Sequence, residues 1–172
     1  MILTLQPVGS VDASVLERLR SELSQFGDVR IATAKPIPRQ AYRRLSKQYR
    51  AAGFDSVCQS TDGDRVLAIT DVDLCDPDLG MKRVFGHADL QGKWAVVSLA
   101  SFGGDGTDRL LERAVKTSVH EIGHTLGLGH HDSDPTCVMY FSERLADTDR
   151  KGRDFCPDCA RTAGLSGPRR GT

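Results

Sequence analysis

The chain has 172 residues with 23 basic and 23 acidic side chains, so its formal net charge is zero. That length fits one domain, burying roughly 70% of the surface its unfolded chain would expose. With 39% hydrophobic residues, wholesale disorder is excluded; the zero charge gives no polyanion-seeking field, so nucleic acid is not an expected partner.

Ile2-Leu3-Thr4-Leu5 is a β-prone start bounded by Pro7 and Gly9, with no charged-then-apolar leader before it. Ser10 and Asp12 are helix-capping types, and Val11, Val15, Leu19, Leu23 and Phe26 follow at helical spacing until Gly27. Val29 to Ala34 predicts a second strand, ended by Pro36-Ile37-Pro38. Arg39 to Ala52 predicts a strongly basic helix with Ala41, Tyr42, Leu45 and Tyr49 as its buried stripe. Its arginines and lysine are most simply a solvated face. Val66 to Ile69 is a buried-strand candidate, followed by an acidic loop from Asp71 to Asp78. Val84 to Ala88 and Trp94 to Leu99 predict a strand pair, and a Gly-rich loop from Gly103 to Gly106 leads into a helix from Asp108 to about Leu126. Only a short helix near Pro157 to Ala163 is expected beyond it, with a frayed end at Pro168 to Thr172. The apolar run Trp94-Ala95-Val96-Val97 is far too short to cross a bilayer. Alternating strands and helices make the fold α/β or α+β, a mixed twisted sheet with packed helices. The expectation is a cytoplasmic monomer without membrane association.

Chemistry is concentrated in the last third. His120-Glu121-Ile122-Gly123-His124 is an H-E-x-x-H segment on the predicted helix. Residues four apart lie about 40° apart around the axis, so both imidazoles can meet one ion. Gly127 can take positive φ, ending the helix and turning the chain back so that His130 offers a third nitrogen. Three neutral imidazoles with an open fourth position suit a catalytic zinc, and Glu121 sits where a carboxylate can take a proton from zinc-bound water. A chance match of these five positions is on the order of one in 10⁵.

Five cysteines, an odd number, argue against a disulfide framework. Cys137, then Cys156-Pro157-Asp158-Cys159, have the spacing of a closed structural zinc site in which His131 is the available fourth ligand. A redox C-x-x-C and free buried thiols are the alternatives, although no thioredoxin-like context surrounds the pair. Cys58 and Cys75 are most simply buried thiols.

His120 to His130 resembles the extended signature of the metzincin metalloproteases, H-E-x-x-H-x-x-G-x-x-H, and Met139 lies where their Met-turn methionine would be. The added cysteines make the segment His120 to Cys159 resemble one branch, the archaemetzincins, whose cysteines hold a second zinc. The chain departs from that branch in three places: His131 stands where the family has Cys, the following spacer is one residue longer, and the spacer after the methionine is one residue shorter. His131 keeps a competent ligand; Asp132 or Asp134 are its possible substitutes. The resemblance implies a metzincin-like subdomain over residues 1–130, ending in the active-site helix, and a zinc-stapled C-terminal subdomain over residues 131–172. It also implies that Val84 to Ala88 is the edge strand that pairs with an extended peptide, and that Tyr140 is either a transition-state donor or a packing residue.

The expected function is hydrolysis of peptide bonds in a peptide or protein substrate, with two zinc ions per chain. Glu121 is the general base, His120, His124 and His130 hold the catalytic zinc, and His131, Cys137, Cys156 and Cys159 hold the structural one. The alternatives are a non-catalytic zinc protein and a latent enzyme whose metal is blocked by the acidic loop or the C-terminal tail.

Overall fold

The computed structural model describes residues 1–165, so the expected frayed end lies outside the described residues. Strand β1 (Ile2–Val8) leads through helix α1 (Ala13–Glu22) to β2 (Asp28–Ile31). Asp12 caps α1, its carboxylate accepting the Ser14 amide at 2.7 Å. A short hairpin follows, β3 (Tyr42–Arg43) and β4 (Gln48–Arg50), and then helix α2 (Asp55–Gln59). Next come β5 (Arg65–Thr70), β6 (Leu74–Asp76), β7 (Met81–Val84), β8 (Gly86–Ala88) and β9 (Trp94–Ser98). Helices α3 (Thr107–Thr125), α4 (Leu145–Arg150) and α5 (Pro157–Thr162) follow among the described residues. No helix among the described residues is long and apolar enough to cross a membrane.

The main sheet has the order β2-β1-β5-β9-β8, all parallel except β8, which runs antiparallel at the edge. Its central strands are buried on both faces, which is why they read as unbroken apolar runs. Side chains alternate between two cores. Leu3, Leu5, Leu67, Ile69, Ala95 and Val97 face α1 and α3, while Val8, Val66, Ala68 and Val96 face α2, Phe54 and the second sheet. That second sheet has the order β3-β4-β6-β7.

Four expectations are overturned, one of them the absence of a helix between the active-site helix and Pro157, where α4 stands. Residues 39–52 are not a basic helix: a 3₁₀ turn at Arg39–Ala41 opens the β3–β4 hairpin, whose turn contains Lys47 at φ 56°. A helix would have stacked Arg39, Arg43 and Lys47 at like-charge i,i+4 spacing. The hairpin instead pairs Tyr42 with Tyr49, ring centroids 5.0 Å apart, and leaves Leu45 almost fully exposed. The acidic stretch 71–78 is likewise not all loop, because Leu74–Asp76 is a buried strand. Its carboxylates meet nearby cations: Asp78 pairs with Arg50, which the expected helix would have presented to water, at 2.8 Å, and Asp73 pairs with Arg83 of β7 at 3.0 Å. The expected strand from Val84 to Ala88 divides at Phe85, since Val84 pairs with Leu74 in the second sheet and Gly86 opens the edge of the first.

Candidate active site

Helix α3 carries the H-E-x-x-H segment across the main sheet, beneath edge strand β8. Its ring nitrogens converge: His120 Nε2 and His124 Nε2 are 3.1 Å apart, and one ligand atom from each of His120, His124 and His130 lies within 4.8 Å of the others. Four-coordinate zinc with bonds near 2.1 Å needs nitrogens about 3.4 Å apart, so the spacing fits. The tautomers fit as well. His120 Nδ1 faces the Val138 carbonyl at 2.8 Å and His124 Nδ1 that of Leu128 at 2.7 Å, so each ring donates there and keeps its Nε2 lone pair for an ion. Burial holds the His120 and His124 imidazoles below their ordinary pKa, with Lys151 adding to the effect at His120, and desolvation by the surrounding protein lowers His130 too although its side chain is open to solvent, so they are neutral ligands.

Gly127, at φ 89°, makes the turn that brings His130 back. Met139 is fully buried under the helix at Gly123, where a Cβ would lie 3.2 Å from Met139 Cε and closer still to its sulfur. Only glycine lets the Met-turn approach this closely.

Glu121 is buried, and burial pushes its carboxyl up to about 8, with Lys151 pulling the other way. Its carboxylate lies against the α-carbon of Gly86 in β8. Glu121, the three histidines and β8 line one cleft of about 350 Å³. Its far wall is Leu79, in the turn before β7, with Met81 and Val84 of the second sheet, and His87 Nδ1 pairs with buried Asp76 at 2.9 Å. The other wall is Phe141 and Ser142, just past the Met-turn, and the floor is Thr117, Thr148 and Lys151. Tyr140 does not line the cleft. Strand β8 does stand at the sheet edge above it, as expected.

The second group also comes together. His131 Nδ1 is 3.2 Å from Cys156 Sγ and 3.4 Å from Cys159 Sγ, and Cys137 Sγ is 3.8 Å from Cys159 Sγ. Tetrahedral zinc–thiolate bonds near 2.3 Å require sulfurs about 3.8 Å apart, so these donors fit a closed site. Asp132 and Asp134 are engaged elsewhere, accepting the amides of Phe141 at 3.4 Å and Thr136 at 2.9 Å. Cys58 and Cys75 are buried and remote from both groups, and burial pushes the Cys58 thiol up to about 12.

The sequence left Phe141, Ser142, Thr148 and Lys151 unremarked. Helix α4, which presents the last two, starts at Arg144, a residue type that signals no N-cap. The readable cue was Asp147, whose carboxylate accepts the Arg144 amide at 2.9 Å.

The model for Peptidase family M54 matches residues 12–164. An archaemetzincin from Methanopyrus kandleri is 38% identical over 151 residues, covering 86% of this chain and 85% of its own. One from Halobacterium salinarum is 38% identical over 177 aligned positions, covering 94% and 99%. The crystal structure of the M. kandleri archaemetzincin superposes with a TM-score of 0.85 at 36% identity, covering 95% of this chain and 93% of that one. That of the Archaeoglobus fulgidus archaemetzincin, complexed with malonate, gives 0.83 at 33% identity, covering 94% and 99%. Kinship of this extent, resting on a metal-binding helix beneath an open sheet edge, makes the chain a zinc metallopeptidase. It belongs to peptidase family M54, the archaemetzincins.

Proposed function

We propose that the chain hydrolyses peptide bonds with Glu121 as general base, in a cleft whose metal is held by His120, His124 and His130. Zinc at these nitrogens supplies Lewis-acid chemistry, polarising a carbonyl and making water more acidic. Strand β8 holds the substrate main chain in an extended register. Glu121 takes the proton of the attacking water on its carboxylate and returns it to the leaving amine. Burial strengthens the carboxyl's hold on a proton, and a zinc ion at the adjacent imidazoles would draw it back toward the ionised form that accepts one. The observation that carries the reading is the buried Glu121 carboxylate beside three converging, neutral imidazoles. Phe141 and Ser142, rather than Tyr140, then form the wall beside the scissile bond.

His131, Cys137, Cys156 and Cys159 hold a second, structural zinc in this reading, and the C-terminal part from residue 131 is a subdomain docked on the first 130 residues. The protein acts as a cytoplasmic monomer on peptides or proteins.

Glu121→Ala tests the mechanism. The variant keeps its zinc and loses turnover of a peptide mixture by several orders of magnitude. Unchanged turnover refutes the role of Glu121. No turnover by either form, with zinc bound, returns the chain to the latent or non-catalytic alternative.

A further inference from the structure

The floor of the cleft holds more hydrogen-bond donors than acceptors. Lys151, which closes α4, is only 3% exposed; Glu121 is the chief acid whose charge reaches it, yet no carboxylate among the described residues comes within ion-pair distance of it. Its ammonium donates to the Tyr140 carbonyl at 3.2 Å. Its other close neighbour, His120 Nδ1 at 3.2 Å, already directs its own hydrogen to Val138 and so accepts nothing. An ammonium has three donors, so two are left over. Beside it, Thr148 Oγ1 and Ser142 Oγ are buried without any partner, and Thr148 is 1% exposed. All three residues line the same cleft. Buried donors left unmatched are costly unless something fills them.

A negatively charged acceptor would satisfy the ammonium and both hydroxyls together, and the substrate supplies the position. A peptide paired with β8 alternates its side chains between two faces. Gly86 and Ala88 look toward α3, whereas His87 looks to the second sheet and Asp76. Every other substrate side chain therefore points down toward Thr117, Thr148 and Lys151. Of the two acids bordering the cleft, Asp76 is already paired with His87, and Glu121 is the proposed base.

We propose that Lys151, Thr148 and Ser142 form a subsite that takes the acidic side chain, Asp or Glu, of the residue just after the scissile bond. The proposal rests on the peptidase reading, and its test separates the two. The library is a mixed-sequence peptide set prepared both as C-terminal acids and as C-terminal amides, digested with the zinc-loaded protein. Asp and Glu are expected after the cut on the order of 10- to 100-fold more often than Asn and Gln, in acids and amides alike, as one charge-assisted pairing gives. Lys151→Met should bring that ratio close to one, chiefly through KM, and Thr148→Val with Ser142→Ala should lower it in part. No acidic preference overturns the proposal. So does a preference confined to free C-terminal acids, which would make the chain terminus the recognised carboxylate. So does a Lys151→Met defect equal for all substrates and seated in kcat, because Lys151 would then act through Glu121.

Binding supplies a second readout. Fluorescence anisotropy with labelled hexapeptides differing only as Glu or Gln is read on the zinc-loaded Glu121→Gln variant. Tighter binding of the Glu peptide, lost in Lys151→Met/Glu121→Gln, supports the subsite even if the wild type cleaves nothing. Equal binding overturns it.

Discussion

Gly86 faces the base so closely that adding one methyl group should misplace it. A Cβ there would lie 2.6 Å from Glu121 Cγ and 2.7 Å from Cδ, with the carboxylate oxygen Oε1 closer still. Ordinary carbon contacts are about 3.5–4.0 Å, so in Gly86→Ala the carboxylate must retreat by about 1 Å. Gly86 lies in an ordinary extended strand, so the substitution adds no left-handed backbone strain. A misplacement of about 1 Å at a reacting group costs about 10²-fold, or ~2.7 kcal/mol of barrier. Overpacking should cost about 1–3 kcal/mol of stability as well, which for this chain length lowers the melting temperature by roughly 2–12 °C. The expected result is therefore kcat down about 100-fold with zinc content unchanged and the fold intact. Steady-state kinetics on a cleaved peptide, elemental zinc analysis and calorimetry read the three quantities. An undiminished kcat would refute the reasoning, and so would a loss proportional to lost zinc, because the glycine would then serve the ligands and not the base.

Replacing Cys156 and Cys159 by Ser should remove one zinc per chain and lower stability by several kcal/mol, roughly 10 °C or more in melting temperature; two retained ions would refute the ligand assignment. Arg113 is almost fully buried and binds Asp149 through two contacts, at 2.8 and 2.9 Å, with Asp105 at 2.8 Å as its other carboxylate. Asp149→Ala should cost roughly 2–3 kcal/mol in denaturant unfolding, less than for a fully buried pair because Asp149 is 27% exposed. Arg113 holds the Asp149 carboxyl below its usual range. That contribution is complete above the unfolded carboxyl pKa of about 3.9 and lost as pH falls through the lower folded value, so the variant should lose less stability on acidification than the wild type. An identical acid limb in the two proteins would contradict the pairing.

What the sequence revealed and what it hid divide along physical lines. The helix with His120 and His124, the return at Gly127 and the Cys156–Cys159 knuckle are set by spacing within a few residues, and spacing is printed in the sequence. The central strands were equally plain because burial on both faces makes them continuously apolar. Residues 39–52 misled because Ala41, Tyr42, Leu45 and Tyr49 satisfy a helical period by accident, while the hairpin is decided by a partner, β6, that lies 24 residues beyond β4 and looks like an acidic loop. Lys151 was illegible for the same reason. A single lysine in the charged run Asp147 to Arg153 becomes a buried donor only because α4 docks under α3, with Lys116 Nζ reaching the Thr148 and Asp149 carbonyls at 3.2 and 3.0 Å.

The two metal groups meet at adjacent residues, and this adjacency has a consequence for the catalytic one. His120 and His124 are each oriented by a carbonyl at Nδ1, but no ring nitrogen of His130 is hydrogen-bonded among the described residues, and His130 is exposed. Its ring is steadied by Phe141, with centroids 4.9 Å apart, and by its backbone. That backbone is held next door: the His131 amide donates to the Met139 carbonyl at 3.0 Å, and the His131 ring lies against Cys156 and Cys159. A filled cysteine site therefore fixes the direction from which His130 arrives. His131→Ala should then weaken metal binding at the three-histidine site by about 10-fold or more, the usual effect of removing a group that orients a ligand. Cobalt(II) titration separates the sites, since only thiolate-bound cobalt gives intense sulfur-to-metal charge-transfer absorption. If the affinity of the histidine site is unchanged in His131→Ala, its third ligand is held by the Gly127 turn alone, and the two sites are neighbours without being coupled.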